Sequence, residues 1–299
     1  MVHIQKSKDK GNIYIGKIDN VKLQSLCNMI VHEYKSHYIK KNIKNVNHHY
    51  VNQLSNSLKN IISHVSNHPM WNSMLQEDNH DIVLPIHEMD EIYYSNINLN
   101  LQKDVHRLYG QRASIDIHRD FPVPFPYTRC YRVLLCLQGN ENNSVSTEFP
   151  FHHKNIFLKQ NEFCIFDYNR SPHRVIIHKD TKGHQRYLLK LHFLVTKKTN
   201  SDMYTNLIKQ IHILQNKFTR YILEKGTDPK TLYEYNFALL SIYYYNTYST
   251  SIMFILLFIS FILSYTKTKT ISVSVIVSLL TLLIVHLICI IICLLRDNI

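Results

Sequence analysis

Residues 161–195 read NEFCIFDYNRSPHRVIIHKDTKGHQRYLLKLHFLV. Three apolar runs, 163–168, 173–178 and 186–195, are separated by NRSP at 169–172 and KDTKG at 179–183. Short apolar runs between clusters of turn formers read as strands. In the last run, Tyr187, Leu189, Leu191, Phe193 and Val195 share one face, because side chains two apart on a strand point the same way. Arg186, Leu188, Lys190, His192 and Leu194 share the other. A simple sandwich would bury the first face and expose the second.

The same style extends upstream. Runs at 82–86, 113–118, 131–137 and 156–158 read as further strands, with a turn at 138–144. Many short strands in succession predict a sandwich or barrel rather than βαβ units. Helical spacing flanks them. Val21, Leu23, Leu26, Cys27, Ile30 and Tyr34 predict a helix over 18–40, with Asp19 or Asn20 as its cap. Val51, Leu54, Leu58, Ile61, Ile62 and Val65 predict a second over 47–66, with His48-His49 at its solvent-facing start. Met203, Leu207, Ile208, Ile211, Leu214, Phe218 and Ile222 predict a third over 202–224. Trp71, just after Pro69, reads as packing.

Composition narrows the class. Hydrophobic residues make up 45% of the chain and charged residues 19%, which excludes wholesale disorder. Lys and Arg total 34 against 22 Asp and Glu, a formal charge of +12. No RGG, helix-turn-helix or RNP pattern accompanies that excess. It is read as solvated lysine, or as a basic face beside a membrane, rather than as a nucleic-acid surface. Cysteines at 27, 130, 136, 164, 289 and 293 form no CxxC pair and no disulfide framework. They point to a reducing, intracellular compartment, and the N-terminal residues do not resemble a signal peptide.

The C-terminal part reads as membrane. Phe237–Tyr265 is 29 residues without a formal charge, and Ile271–Leu295 is 25 more. A bilayer core requires roughly 20 apolar residues per helix. The TKTKT break at 266–270 predicts a tight hairpin, with helices at about 245–265 and 271–295. Tyr243, Tyr244, Tyr245 and Tyr248 lie where an aromatic belt would.

The chemistry centres on Ile115-Asp116-Ile117-His118-Arg119-Asp120. On a strand, His118 and Asp120 offer an imidazole and a carboxylate to one point. His173 opens a later strand and is the candidate third ligand. Two His and one carboxylate on one face of a metal leave other positions open, which suits non-haem Fe(II) binding a co-substrate and O₂ together. Singly, each residue has a plainer reading: His173 as a strand-end histidine, Asp120 as a turn residue, Arg186 as a partner of Asp180.

Taken in order, HxD, RCYRVLLCLQGN, NEFCIFDYNRSPHRV and GHQRYLLKLHFLV resemble the Fe(II)/2-oxoglutarate-dependent oxygenases, in particular the prolyl hydroxylase-like and aspartyl/asparaginyl β-hydroxylase-like branches. The resemblance covers about residues 112–196. It implies an α+β fold: a double-stranded β-helix (jelly roll) backed by α-helices, here followed by C-terminal transmembrane helices. It implies metal ligands His118, Asp120 and His173, and Arg186 on the far carboxylate of 2-oxoglutarate, with Lys190 in reserve. Tyr127 or Tyr131 would supply a hydroxyl to that carboxylate, since residue 188 is Leu where some branches place Ser or Thr. The spacing from His173 to Arg186 is slightly longer than usual, and KDTKG absorbs it. In this fold the last strand belongs to the helix-backed sheet, so its outer face is apolar and Arg186 faces inward.

The implied organisation is a helical support region at 1–80, an oxygenase core at 81–200, a helical connector at 201–236 and a membrane hairpin at 237–299. The implied activity is hydroxylation of a protein side chain or a lipid-like substrate, with O₂ as co-substrate and the soluble part facing the cytosol. Two alternatives stay open: a catalytically inactive jelly-roll binding or structural membrane protein, and a metal hydrolase on the same ligands.

Overall fold

The computed structural model describes residues 5–6, 13–38, 46–96, 127–178, 185–227 and 257–281. The chain divides into two compact units, Met1–Asn216 and Lys217–Ile299. The N-terminal strand β2 (Tyr14–Lys17) is hydrogen-bonded to β9 (Glu162–Asp167) inside the main sheet.

The spine of the first unit is β11 (Gln185–Lys197), paired antiparallel along its length with β6 (Thr128–Gln138). Its other edge is shared end to end by β5 (Glu91–Asn96) and β4 (Asp81–Pro85). With β1 (Gln5–Lys6) and β3 (Val46–Tyr50) at the margins, the order is β1-β2-β9-β6-β11-β5-β3. A smaller antiparallel sheet runs β10-β7-β8, from β10 (Arg174–Ile177), β7 (Val145–Phe149) and β8 (Lys154–Ile156). Phe149 and Ile156 of the small sheet share one buried cluster with Cys130, Leu134, Cys164, Phe166, Leu188 and Leu194 of the large one. The two antiparallel sheets therefore close on a common interior, the two-sheet arrangement that the jelly-roll resemblance implies.

The outer face of the large sheet is covered by helices. Asn20 caps α1 (Val21–Tyr38), its side-chain oxygen accepting from the Leu23 N–H at 3.0 Å. Ser55 caps α2 (Asn56–Ser66) in the same way. Pro69 begins the short α3 (Pro69–Leu75) at the position where a missing N–H costs nothing. Leu23, Cys27, Ile30 and Tyr34 of α1 and Leu58, Ile62 and Val65 of α2 bury against Tyr187, Leu189, Leu191 and Phe193. Trp71 of α3 packs edge-on against Phe163 at 5.2 Å.

The helix predicted over 47–66 is only half a helix. Val46–Tyr50 is a strand, held by its pairing to β5, and the helix starts after Ser55. His49 is consequently not in solvent: it is half-buried, and its Nδ1 lies 2.7 Å from the Tyr34 hydroxyl.

Gly16 on β2 faces the Phe163 ring so closely that a Cβ would lie 2.6 Å from it. Gly16→Ala is expected to shift that ring and to lower stability by about 1–3 kcal/mol, read from the urea midpoint.

Beyond β11, α4 (Asp202–Thr227) crosses the division between the units. Besides the end of α4, the described part of the second unit is two helices, α5 (257–268) and α6 (271–281), broken at Lys269, whose φ is 57°. Among the described residues, no helix is long and apolar enough to cross a membrane.

Candidate active site

Two cations face the interior from β11, and their surroundings differ. Lys190 is paired with the buried carboxylate of Glu91, Nζ to Oε1 at 2.6 Å. Arg186 is 3% exposed, and its Nε has no hydrogen-bond partner. No carboxylate among the described residues pairs with it. Its guanidinium field reaches the buried thiols of Cys136 and Cys164, which mark the interior face. Burial pushes the Cys164 thiol up to about 12, so it stays neutral. A cation buried without an anion is costly unless a ligand supplies the anion. Among the described residues Lys190 thus has its anion and Arg186 has none, while Asp180 lies outside the described residues.

His173 lies just ahead of β10 and is 5% exposed. Its ring packs against Phe166 at 4.7 Å and Phe149 at 5.9 Å, both pointing inward. Its Nδ1 lies 3.1 Å from the Ser171 carbonyl, which can only accept a hydrogen bond. That bond places the proton on Nδ1 and leaves Nε2, in the neutral ring, with its lone pair. This is the tautomer in which a histidine ligates a metal through Nε2. The NRSP turn before His173 is closed by the Asp167 carboxylate, which accepts the N–H groups of Asn169 and Arg170.

His118 and Asp120 lie outside the described residues. Among the described residues there is no cluster of three His, Cys, Asp or Glu side chains able to hold a metal. The two tyrosines lie elsewhere. Tyr131 belongs to the helix-backed face of β6, where its hydroxyl donates to Glu77 at 3.0 Å. Strand alternation directs it away from Arg186, so it does not serve a carboxylate bound there. Tyr127, at φ 55° ahead of β6, is 78% exposed.

The structure adds a buried polar layer beside His173 that sequence reading missed. Arg132 lies opposite Phe166 on the neighbouring strand, and its Nε donates to His192 Nε2 at 3.0 Å. Asp90, fully buried, accepts from the His192 backbone N–H at 2.9 Å and from the Ser66 hydroxyl at 3.0 Å. Burial alone would raise the Asp90 carboxyl, but hydrogen bonding from His192 and His87 holds it below the ordinary range. Cys130, two residues before Arg132, meets His212 of α4. The His212 ring lies between the Cys130 thiol (3.0 Å) and the Tyr168 hydroxyl (3.1 Å).

Burial, with a smaller push from His192, lowers the His212 pKa to about 3. Unfolded, the same histidine takes a proton near pH 6.5. Between those values the unfolded chain binds more protons, so stability falls as pH falls. The expected slope from His212 alone is about 1.4 kcal/mol per pH unit below pH 6.5. Urea midpoints from pH 7 to 4 measure it, and His212→Gln should flatten it.

No protein-family description matches this chain, and no curated protein does. Solved structures show a distant likeness. A viral collagen prolyl hydroxylase from Paramecium bursaria Chlorella virus-1, in complex with 2-oxoglutarate, is 13% identical over 61% of this chain and 95% of its own, with a TM-score of 0.38. HygX from Streptomyces hygroscopicus, with iron bound, is 9% identical over 64% of this chain and 84% of its own, at 0.36. A prolyl 4-hydroxylase from Phytophthora capsici is 14% identical over 77% of this chain and 76% of its own, at 0.38. At these identities and scores, the functional reading rests on the side chains described above.

Proposed function

We propose that the chain is a membrane-anchored Fe(II)/2-oxoglutarate-dependent dioxygenase that hydroxylates a protein side chain or a lipid-like substrate. The observation that carries this is Arg186, a cation buried on the inward face of the last jelly-roll strand with no ion-pair partner among the described residues. His173 would hold the metal through Nε2, with His118 and Asp120 as the other ligands. Bound iron with 2-oxoglutarate and O₂ would supply the oxidising power for an unactivated C–H, with succinate and CO₂ as the other products.

The protein's own part is positioning and exclusion. Arg186 would take the far carboxylate in a bidentate pair. Leu134, Leu188, Phe149 and Phe166 would keep water from the interior. The Ser171 carbonyl would hold the His173 tautomer.

Polarity supports the anchor. In the α5–α6 pair, Ser264, Ser274 and Ser278 are buried, while Phe258, Leu263, Ile271, Ile276 and Leu279 are exposed. Thr268 Oγ1 and Ser274 Oγ lie 3.3 Å apart across the break. Water favours the opposite arrangement, whereas helices in lipid pack through small residues and turn large apolar ones outward. The uncharged sequence runs on past both described helices. We place the jelly roll on the cytosolic, reducing side, in keeping with the unpaired thiols of Cys27, Cys130, Cys136 and Cys164.

The test is succinate formation by the detergent-purified full chain, loaded anaerobically with Fe(II) and then given 2-oxoglutarate and O₂. Succinate is expected, and it should disappear in His173→Ala. A folded protein that neither binds Fe(II) nor consumes 2-oxoglutarate would overturn the reading.

A further inference from the structure

Helix α4 carries two apolar stripes. One faces in: Ile208, His212 and Ile213 are buried at the end of the jelly roll where β6 begins and β11 ends. The other faces out: Met203 is 82% exposed, and Leu207 and Leu214 are each 53% exposed. With Gln210 they fall at helical spacing on one side, so the outer stripe is continuous over three turns. A helix between a folded domain and water would carry polar residues there.

We infer that this outer stripe of α4 lies on the bilayer into which the C-terminal hairpin inserts. The inference rests on the anchoring part of the proposed function, not on its chemistry. Three observations select lipid as the occupant. The helix continues to Thr227, shortly before the uncharged run that starts at Phe237. The α5–α6 pair shows the exposed-apolar, buried-serine polarity of lipid-facing helices. The stripe is long, narrow and mixed with Gln210, as suits a helix lying shallow at the headgroup boundary rather than crossing it.

The consequence concerns the active site. His173 packs on Phe166, Phe166 lies opposite Arg132, and the next inward residue of β6, Cys130, carries His212 of α4. The end of the interior nearest the candidate metal ligand is therefore the end that α4 covers. Docking of α4 would hold that end against the membrane surface, so substrates would be reached at the bilayer.

Tryptophan placement tests this, because the native Trp71 is fully buried and gives a constant background. The full chain would be reconstituted in phosphatidylcholine vesicles with brominated acyl chains, carrying Leu207→Trp or, independently, Leu214→Trp. Phe258→Trp in α5 serves as the anchor control. The expected result is blue-shifted emission from both α4 probes, quenched more by bromines near the headgroup end of the chain than near the methyl end. Unquenched, red-shifted α4 probes beside a quenched Phe258→Trp would overturn the docking and leave the anchor standing. No quenching at any of the three would overturn both. A blue shift that is independent of bromine and accompanies dimerisation would give the stripe to a second copy of the chain and overturn the inference.

Discussion

Arg186→Met is expected to weaken 2-oxoglutarate binding while making the ligand-free protein more stable. The two effects have opposite signs because the same charge produces both. Loss of a buried, bidentate carboxylate partner typically costs about 2–5 kcal/mol, which corresponds to a roughly thirty- to several-thousand-fold rise in the 2-oxoglutarate concentration for half-maximal succinate formation. Without ligand, Arg186 is a buried cation whose Nε has no hydrogen-bond partner. Replacing it with an apolar side chain of similar length removes that desolvation cost, so the urea midpoint should rise by the equivalent of on the order of 1 kcal/mol. Lys190→Met should do the reverse: it leaves 2-oxoglutarate affinity little changed and destabilises the fold, because it strands the buried Glu91 carboxylate. A lower midpoint for Arg186→Met with unchanged 2-oxoglutarate affinity would move the anion site elsewhere.

Trp71→Ala is expected to be the most damaging single change to the fold. The ring is fully buried, lies edge-on to Phe163 at 5.2 Å and within 6.4 Å of Phe193, and donates its N–H to the Val65 carbonyl at 2.7 Å. Its removal opens a cavity between α3 and the sheet and takes one donor from that carbonyl, which keeps the His68 N–H at 3.3 Å. Core Trp→Ala changes cost about 3–5 kcal/mol, against a total of roughly 5–15 kcal/mol for a typical domain. Denaturation followed by far-UV circular dichroism measures the loss. A loss below about 1 kcal/mol would mean that α3 is not needed to hold the sheet.

Parity along β11 groups Arg186 with Leu188, Lys190, His192 and Leu194, but alternation alone does not say which face is inner; the resemblance supplies that. In the structure α1 to α3 cover the apolar residues at 187–195, and parity then places Arg186 on the inner face. The position of His173 after the NRSP turn and at the opening of a strand matches its place just ahead of β10. The orientation of Tyr131 was not legible in the sequence. All but the ends of β6 are buried on both faces, so no polar alternation marks which residues point inward. Arg132 was the available signal: a charged residue in that run belongs with the buried polar layer, and Tyr131 beside it must face the other way. The strand at 46–50 was hidden because Val51 and Leu54 continue an apparent helical period, while the pairing that sets Val46–Tyr50 lies far off, in β5. The second stripe of α4 was concealed in its own periodicity. The helical spacing groups Met203, Leu207 and Leu214 with Ile208, although the helix turns them to opposite sides.

The place of β11 in the sheet also governs the order in which the chain can fold. It is the last strand in sequence, yet it lies between β6 and the β4–β5 pair, while β2 closes the far side by reaching β9. On the ribosome, the sheet therefore stays in two halves until Lys197 has emerged. About forty residues separate Lys197 from Phe237, where the uncharged run begins. At roughly 5–20 residues per second that interval is about 2–8 seconds. Sheets of such non-local pairing close in roughly milliseconds to seconds. The spacing between the last strand and the uncharged run thus acts as a timer, giving the sheet time to close before that run emerges.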